Sequence, residues 1–318
     1  MVTKNIVFLS YGNSTEYFRA IYCILSFSAW MEDRIKTVRI IIYTDNPEFF
    51  ETYLGDFDIE FFPLSPALLE DMLAGTNFIH RRKVAVIDMT FRNFPEEGLV
   101  FIDSDTFFMK DPKPILDGLD EGVSLLHKRE YSLEEGIALF RLFGQDQYPA
   151  DFIKYITDRE FYIQDQPMVF SKHDYSWNSG VVGLNPQFAD YMTDVFTLTD
   201  VFYANSEWFI SEQMAFSLIL QRTTHIRPAE NFIFHYWGAR QKILVDRIIQ
   251  KIFSQDMPDK LRKAGYMRSV TRKLQSLIES DLIYEQLEIA VSQRNFNYSA
   301  KKVVQYFLLK FFNVKIRK

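Results

Sequence analysis

A short apolar segment followed by two aspartates constrains the fold more than any other part of the sequence. Leu99 to Ile102 form a continuous apolar run that begins after Gly98 and ends at Asp103-Ser104-Asp105. A run of this length and composition is typical of a central β-strand that is covered on both faces. Side chains two residues apart on an extended chain point to the same side. We therefore expect the two carboxylates to lie together at the end of this strand.

Two carboxylates at the end of a buried strand need a cationic partner, because an unpaired buried charge is costly. One solution is a divalent metal ion, which takes oxygen ligands and keeps coordination positions open for water and substrate phosphates. The other is that Asp103 and Asp105 cap a turn or pair with nearby Arg and Lys side chains. The spacing alone leaves both interpretations open.

The composition favours a folded chain with a large core. Of the 318 residues, 47% are hydrophobic and 16% aromatic, which suits one large domain, or one domain with an appendage. The single cysteine, Cys23, excludes a disulfide framework and a thiolate zinc site. The sequence shows no signal-peptide pattern and no apolar run near the roughly 20 residues of a membrane span. We therefore expect a cytoplasmic protein.

The charge is unevenly distributed along the chain. The net charge is −6, but residues 260–318 carry 13 basic and four acidic side chains. The acidic remainder argues against nucleic-acid binding. Within the basic tail, Val303 to Phe312 is densely apolar and has basic neighbours on both sides, as in a helix that lies on an anionic membrane. These neighbours are Lys301, Lys302, Lys315 and Arg317. Such contact with the inner membrane face is our expectation; the alternative is a terminal helix docked on the body with its lysines facing water.

Predicted strands and helices alternate along the chain. The predicted strands are Asn5–Ser10, Val38–Tyr43, Ile59–Phe62, Leu99–Ile102, Val123–Leu126 and Val181–Leu184. The predicted helices are a capped helix from Ser14, Asn77–Arg92, Gln187–Thr197, Ser211–Leu220 and mostly helical sequence from Gln241 onward. This order predicts an α/β protein with a mostly parallel sheet, whose ligands gather beyond the carboxyl ends of the strands. Asp45 and the polar turn at residues 11–14 would lie on that edge beside the two aspartates.

In this order, the elements resemble those of the nucleotide-sugar glycosyltransferases of the GT-A fold. The resemblance is strongest to family 8, which includes glycogenin and bacterial lipooligosaccharide galactosyltransferases, and it covers roughly residues 4–245. The matching elements are the DxD motif Asp103-Ser104-Asp105, the basic helix with Arg82 and Lys83, the strand Asn178-Ser179-Gly180-Val181, the helical pair Glu212-Gln213, and an HxxGxxK-like element with His235, Gly238 and Lys242. In that last element Lys242 is one residue late and the usual Pro-Trp is missing, so Arg240 is an alternative to Lys242.

The resemblance implies a Rossmann-like mixed central sheet flanked by helices, with residues 1–245 as the catalytic domain and 246–318 as a basic, mostly helical C-terminal region. It implies Mn²⁺ or Mg²⁺ as the metal, held by Asp103, Asp105 and His235. The implied nucleotide and diphosphate residues are Ser10, Tyr11, Gly12, Asn13, Arg82, Lys83, Ser104, Gly238, Arg240 and Lys242. The implied catalytic residues, in the sugar pocket, are Asn178, Glu212 and Gln213.

The implied reaction transfers a sugar from a nucleoside-diphosphate donor, first of all a UDP-sugar, to a glycan or glycolipid acceptor with retained anomeric configuration. The setting would be surface-polysaccharide or lipooligosaccharide assembly. An inverting enzyme would instead need a carboxylate near the acceptor hydroxyl, for which Asp174 is a candidate.

Two other functions compete with sugar transfer. A haloacid-dehalogenase-type phosphatase also places DxDxT-like sequence after an apolar strand, with Asp103 as nucleophile and Asp105 as general acid. That motif usually opens its chain, and a late acidic pair is missing here. The remaining alternative is a non-catalytic nucleotide or sugar binder that shares the fold.

Overall fold

A computed structural model describes residues 4–292 and 296–312 of the chain. The strands are β1 (Lys4–Leu9), β2 (Arg39–Thr44), β3 (Ile59–Pro63), β4 (Gly98–Ile102), β5 (Thr106–Phe108), β6 (Val123–Ser132), β7 (Glu160–Ile163), β8 (Gln166–Val169), β9 (Tyr175–Leu184), β10 (His225–Pro228) and β11 (Ile233–His235). The helices are α1 (Ser14–Met31), α2 (Pro47–Leu54), α3 (Pro66–Asp71), α4 (Arg81–Asn93), α5 (Lys113–Asp117), α6 (Leu133–Arg141), α7 (Gln147–Ile156), α8 (Met192–Ser206), α9 (Ser211–Thr223), α10 (Ala239–Gln255), α11 (Pro258–Leu261), α12 (Ala264–Ser292) and α13 (Phe296–Phe312). Two 3₁₀ helices span Glu32–Thr37 and Pro186–Tyr191.

A seven-stranded sheet organises the fold, with strand order β10-β6-β9-β4-β1-β2-β3. Strand β9 is antiparallel to both of its neighbours, and the other six strands run parallel to one another. The Rossmann-like mixed sheet with flanking helices that the resemblance implied is confirmed. The carboxyl ends of β1, β2, β4 and β6 therefore meet at one edge, together with the first half of β9.

The apolar run in β4 is explained by burial on both faces of the sheet. All five residues of β4 are buried, and alternate residues belong to two separate hydrophobic clusters. Val100 and Ile102 contribute to the cluster that includes α1, whereas Leu99 and Phe101 contribute to the cluster that includes α4 and α9. Because neighbouring side chains on a strand point to opposite faces, a strand covered on both faces needs an uninterrupted apolar sequence.

Four predicted boundaries differ from the structure. The cap of α1 is Asn13, whose side-chain oxygen accepts hydrogen bonds from the backbone N–H groups of Thr15 and Glu16, and not Ser14. Strand β9 begins at Tyr175 and not at Val181, because its polar first half pairs with the extended end of β6. Helix α8 begins at residue 192, after a 3₁₀ turn, and helix α4 begins at residue 81.

The first C-terminal helices pack against the same face of the sheet as α1. Val245 and Ile249 of α10 and Leu274 and Ile278 of α12 belong to the hydrophobic cluster of α1. Helix α10 runs through the predicted domain boundary at residue 245, and the division into two domains stays a prediction.

The predicted membrane segment lies at the end of the described chain. Helix α13 contacts α12, with the rings of Tyr284 and Tyr306 at 6.3 Å. Lys315 and Arg317 lie outside the described residues. None of the helices in the part of the chain that the structure describes combines the length and apolar character needed to cross a bilayer.

Candidate active site

A cavity of about 470 Å³ opens at the carboxyl edge of the sheet. Its wall is formed by Leu9, Ser10, Tyr11, Gly12, Asn13, Glu16, Ile79, His80, Lys83, Phe101, Asp103, Ser104, Asp105 and Lys242. The turn after β1 and the loop after β4 thus lie on one cavity, as the strand order predicted. A smaller cavity of about 200 Å³ at the opposite edge contains none of the predicted site residues.

A small two-stranded sheet brings His235 to the aspartates. Strand β11 pairs antiparallel with β5, so that His235 lies opposite Thr106, the residue after Asp105. The next residue, Tyr236, donates its backbone N–H to the carbonyl of Asp105 at 3.1 Å. One carboxylate oxygen each from Asp103 and Asp105 and one ring nitrogen of His235 lie within 4.8 Å of one another. The structure thus brings together the three residues that were predicted to hold a metal.

The orientation of the His235 ring fits a metal ligand. Nδ1 lies 2.8 Å from Oδ1 of Asn178, an oxygen that also accepts the backbone N–H of Gly180. Because an amide oxygen only accepts, Nδ1 carries the hydrogen, and Nε2 faces Oδ1 of Asp105 at 3.2 Å. The gap between Nε2 and this carboxylate oxygen can be bridged by a proton on Nε2 or by a metal ion that both atoms bind. The donor set of two carboxylates and one oriented imidazole suits a divalent ion such as Mn²⁺ or Mg²⁺.

Gly180 makes room for this ring. A Cβ atom at position 180 would lie 2.3 Å from Nδ1 of His235 and 2.4 Å from its Cε1. We expect Gly180→Ala to displace the imidazole and to weaken Mn²⁺ binding by about 10- to 100-fold, which is the usual effect of disturbing the residues that orient a metal ligand. Calorimetric titration with Mn²⁺ measures this effect.

Gly265→Ala is the matched control for this substitution, because a Cβ atom there meets nothing within 4 Å. Equal Mn²⁺ affinity in the two variants would contradict the assignment of His235 as a ligand.

Two lysines neutralise the aspartates. Nζ of Lys242 lies 2.7 Å from Oδ2 of Asp105, and Nζ of Lys83 lies 3.0 Å from Oδ2 of Asp103 and 3.4 Å from Oε1 of Glu212. Burial alone would raise the pKa of Asp105, but the charges and hydrogen bonds of His235 and Lys242 hold that pKa well below its usual range. Burial alone would lower the pKa of Lys83, yet Asp103 and Glu212 raise it above the ordinary value. The carboxylate–lysine pairing considered for this motif is therefore present, and a bound metal would share the aspartates with these ammonium groups.

The predicted catalytic residues form a hydrogen-bonded group beside the metal ligands. Oε1 of Gln213 accepts the backbone N–H of Ser179 at 3.1 Å. Its Nε2 donates to Oε2 of Glu130 at 3.1 Å, and Nδ2 of Asn178 donates to Oε1 of the same glutamate at 3.3 Å. Oε2 of Glu212 is buried and has no hydrogen-bond partner among the described residues. This oxygen thus keeps an acceptor position that no described residue fills.

The turn after β1 is held in place by Asp45 and Arg82. Gly12 adopts φ +92° and donates its backbone N–H to Oδ2 of Asp45 at 3.0 Å. The other oxygen of Asp45 accepts the hydroxyl of Tyr17 at 2.7 Å. Nη1 of Arg82 donates to the hydroxyl oxygen of Tyr11 at 2.8 Å, and its guanidinium lies 5.3 Å from the Tyr11 ring centroid. The predicted nucleotide turn is thus a fixed part of the cavity wall.

The structure favours Lys242 over Arg240 as the cation of the last motif. Arg240 pairs with Asp281 and Glu288 of α12 and is not part of the cavity wall. The carbonyl oxygen of the Gln241 side chain accepts the backbone N–H of Gly238, the cap of α10, at 3.3 Å. The helix therefore starts after Gly238 and directs Lys242 to Asp105.

Two site residues were missed by the sequence analysis. Glu130 lies in the second half of β6, at the second of two register shifts, whereas the predicted strand ended at Leu126. Glu16 lies in the first turn of α1 and lines the cavity. Their only sequence signal was their position a few residues after predicted strands that end at the same sheet edge.

No protein-family model matches the chain, and a search of curated proteins found no match. Several solved structures are similar to it. A galactosyltransferase, LgtC, in complex with donor and acceptor sugar analogs is 14% identical over 82% of this chain and 99% of its own, with a TM-score of 0.48. Mouse xyloside xylosyltransferase 1 is 12% identical over 72% and 86%, with a TM-score of 0.46. The glycosyltransferase GlyE of Streptococcus pneumoniae is 11% identical over 85% and 64%, with a TM-score of 0.49. Since all three identities are below 25% and all three TM-scores below 0.5, we infer function from the geometry of the site.

Proposed function

We propose that the chain is a metal-dependent glycosyltransferase that moves a sugar from a nucleoside-diphosphate donor, in the first place a UDP-sugar, to a glycan or glycolipid acceptor. One observation carries this proposal. Asp103 and Asp105, which converge with His235, lie with two lysines on the wall of a cavity that the turn after β1 also lines. In such a cavity a nucleoside can bind at the turn after β1 while its phosphates bind at the aspartates and lysines.

The charges of the site suit the departure of a nucleoside diphosphate. Cleavage of the sugar–phosphate bond leaves negative charge on the diphosphate, which must be neutralised where it develops. Lys83 and Lys242 line the cavity and are positioned in advance by their carboxylate partners. A divalent ion held by Asp103, Asp105 and His235 would supply further Lewis-acid stabilisation.

The sugar would lie beside the group formed by Asn178, Glu212 and Gln213, which is joined to the metal site by the contacts of Asn178 with His235 and of Glu212 with Lys83. Retention of anomeric configuration is the outcome that we propose. Asp174, the candidate base of an inverting enzyme, pairs with Arg222 at 2.7 Å and accepts the backbone N–H of Ser171. Both of these partners hold Asp174 in place, and neither of them is a residue of the predicted site.

An assay with a panel of UDP- and GDP-sugars tests the proposal. In the presence of Mn²⁺ we expect release of free nucleotide from one of these donors, and loss of that release with EDTA. Release of inorganic phosphate from phosphomonoesters instead would favour a phosphatase, and nucleotide binding without turnover of any donor and acceptor would favour a non-catalytic binder. Either result would contradict the proposal.

We further propose that the protein acts in surface-polysaccharide or lipooligosaccharide assembly and that it does so at the anionic inner membrane face. The basic tail with its apolar residues supports it. We expect the full chain to sediment with anionic liposomes and a chain that ends at Ala300 to remain in solution, with neutral liposomes as the control. Unchanged sedimentation after truncation would contradict the role of the tail.

A further inference from the structure

One carboxylate in the cavity wall has no part in the reaction described above. Glu16 lies in the first turn of α1, and its side chain is 33% exposed. Oε1 pairs with Nη1 of Arg19 at 2.5 Å, and Oε2 accepts the hydroxyl hydrogen of Ser104 at 2.9 Å. Ser104 stands between the two aspartates of the predicted metal site. Glu16 is therefore fixed next to that site while part of it stays open to the cavity.

The negative charge of Glu16 is not cancelled by its arginine. Arg19 is nearly buried and makes two further hydrogen bonds to Asp246 of α10, with Nε to Oδ1 at 2.8 Å and Nη2 to Oδ2 at 2.7 Å. The guanidinium of Arg19 thus pairs with two carboxylates, so Glu16, Arg19 and Asp246 together keep a net charge of −1. Each carboxylate oxygen of Glu16 has two acceptor positions, of which Arg19 occupies one and Ser104 another. One acceptor position on each oxygen is left for a ligand.

The distribution of charge decides which part of a nucleotide fits at Glu16. Phosphates are repelled by a net negative group, and they would be attracted instead to a divalent ion at the aspartates together with Lys83 and Lys242 on the same cavity wall. A neutral part of the ligand that carries hydroxyl donors suits Glu16. In a nucleoside diphosphate this part is the ribose, which lies between the base and the phosphates. Glu16 also lies between the turn after β1 and the metal site, since it contacts Ser104 and follows Asn13 by three residues.

We propose that Glu16 accepts hydrogen bonds from the vicinal 2′- and 3′-hydroxyls of the donor's ribose and makes the site selective for ribonucleoside over 2′-deoxyribonucleoside diphosphates. The inference rests on the proposed function. Arg19 and Asp246 act as positioning residues, because they hold the carboxylate in place before the ligand binds. A hydrogen bond to a charged acceptor that is held in place contributes about 10- to 100-fold in affinity.

Calorimetric titration with UDP and 2′-deoxy-UDP in the presence of Mn²⁺ tests the inference. We expect the wild-type protein to bind UDP about 10- to 100-fold more tightly than 2′-deoxy-UDP. Glu16→Gln should reduce this ratio to less than about threefold, because an amide that keeps its oxygen on Arg19 presents N–H donors to the ribose and carries no charge. Glu48→Gln is the matched control: Glu48 lies in the first turn of α2, is exposed and is outside the cavity wall.

The outcomes separate the inference from the proposed function. Equal binding of UDP and 2′-deoxy-UDP by the wild-type protein would overturn the role of Glu16 and leave the glycosyltransferase proposal intact. Unchanged selectivity in Glu16→Gln would do the same. Failure of the wild-type protein to bind either nucleotide would overturn the inference together with the UDP-sugar donor, whereas the donor panel tests the glycosyltransferase proposal itself. Since the first comparison uses only wild-type protein, it does not depend on how the variant folds.

Discussion

Replacing Asp105 with asparagine should lower kcat/KM for sugar transfer by about a thousandfold or more, and should weaken Mn²⁺ binding. Asp105 is the aspartate that contacts both His235 and Lys242, and it is buried. An amide removes the charge that would hold the metal and leaves an oxygen and an N–H₂ group of the same size. Loss of metal-based charge stabilisation costs several kcal/mol of the reaction barrier, and about 4 kcal/mol corresponds to a factor of about a thousand in rate.

Initial rates at several Mn²⁺ concentrations measure this effect, together with calorimetric titration of the metal. Asp111→Asn serves as the control, because Asp111 follows β5, pairs with Arg34 on the surface and lies outside the cavity wall. Thermal melting shows whether the Asp105 variant is folded. A folded Asp105→Asn protein with activity within threefold of wild type at saturating Mn²⁺ would contradict the proposed metal site.

Replacing Lys83 with methionine should lower the free energy of unfolding more than any other substitution proposed for the site. The Lys83 side chain is only 8% exposed and balances the charge of Glu212, which is 4% exposed. It also donates hydrogen bonds to the side chain and the carbonyl of Ser179. Removing one partner of a buried ion pair leaves a buried charge uncompensated and costs about 3–5 kcal/mol in the free energy of unfolding.

Lys242→Met provides the matched comparison for this prediction. Lys242 also pairs with a buried aspartate, but its side chain is 36% exposed, so water can compensate part of the loss. We expect its cost in unfolding free energy to be about 1 kcal/mol, although both variants lose activity. Urea denaturation at neutral pH measures the two values. Similar losses of stability in Lys83→Met and Lys242→Met would refute the assignment of Lys83 as the buried counter-charge.

The sequence predicted the centre of the fold well because the physical requirement there is simple. A strand covered on both faces must be apolar throughout, and β4 shows this pattern together with the two aspartates that follow it. The alternation of strands and helices then predicts which strand ends meet. His235 lies far along the chain, and only the resemblance to family 8 indicated it as a ligand; its pairing partner β5 has just three residues.

Other residues of the site could not be predicted from the sequence pattern. The second half of β6 is stabilised by backbone pairing with β9 across two register shifts, so it has no periodic apolar pattern that could reveal Glu130. Glu16 looks like an ordinary acid near a helix N-terminus, a position that the helix dipole favours in any protein. The choice between Arg240 and Lys242 depends on where α10 begins. Its start after Gly238 places Lys242 and Asp246, four residues apart, on the face towards Asp105 and Arg19.

The most direct measurement for the metal site is anomalous diffraction from crystals of the protein grown with UDP and Mn²⁺. The proposed function predicts an anomalous peak at coordination distance from Asp105 and His235, next to the phosphates of UDP, with Lys242 turned from the carboxylate towards the diphosphate. A structure with UDP bound in which Lys242 still pairs with Asp105 and no manganese peak lies between the aspartates and His235 would contradict it.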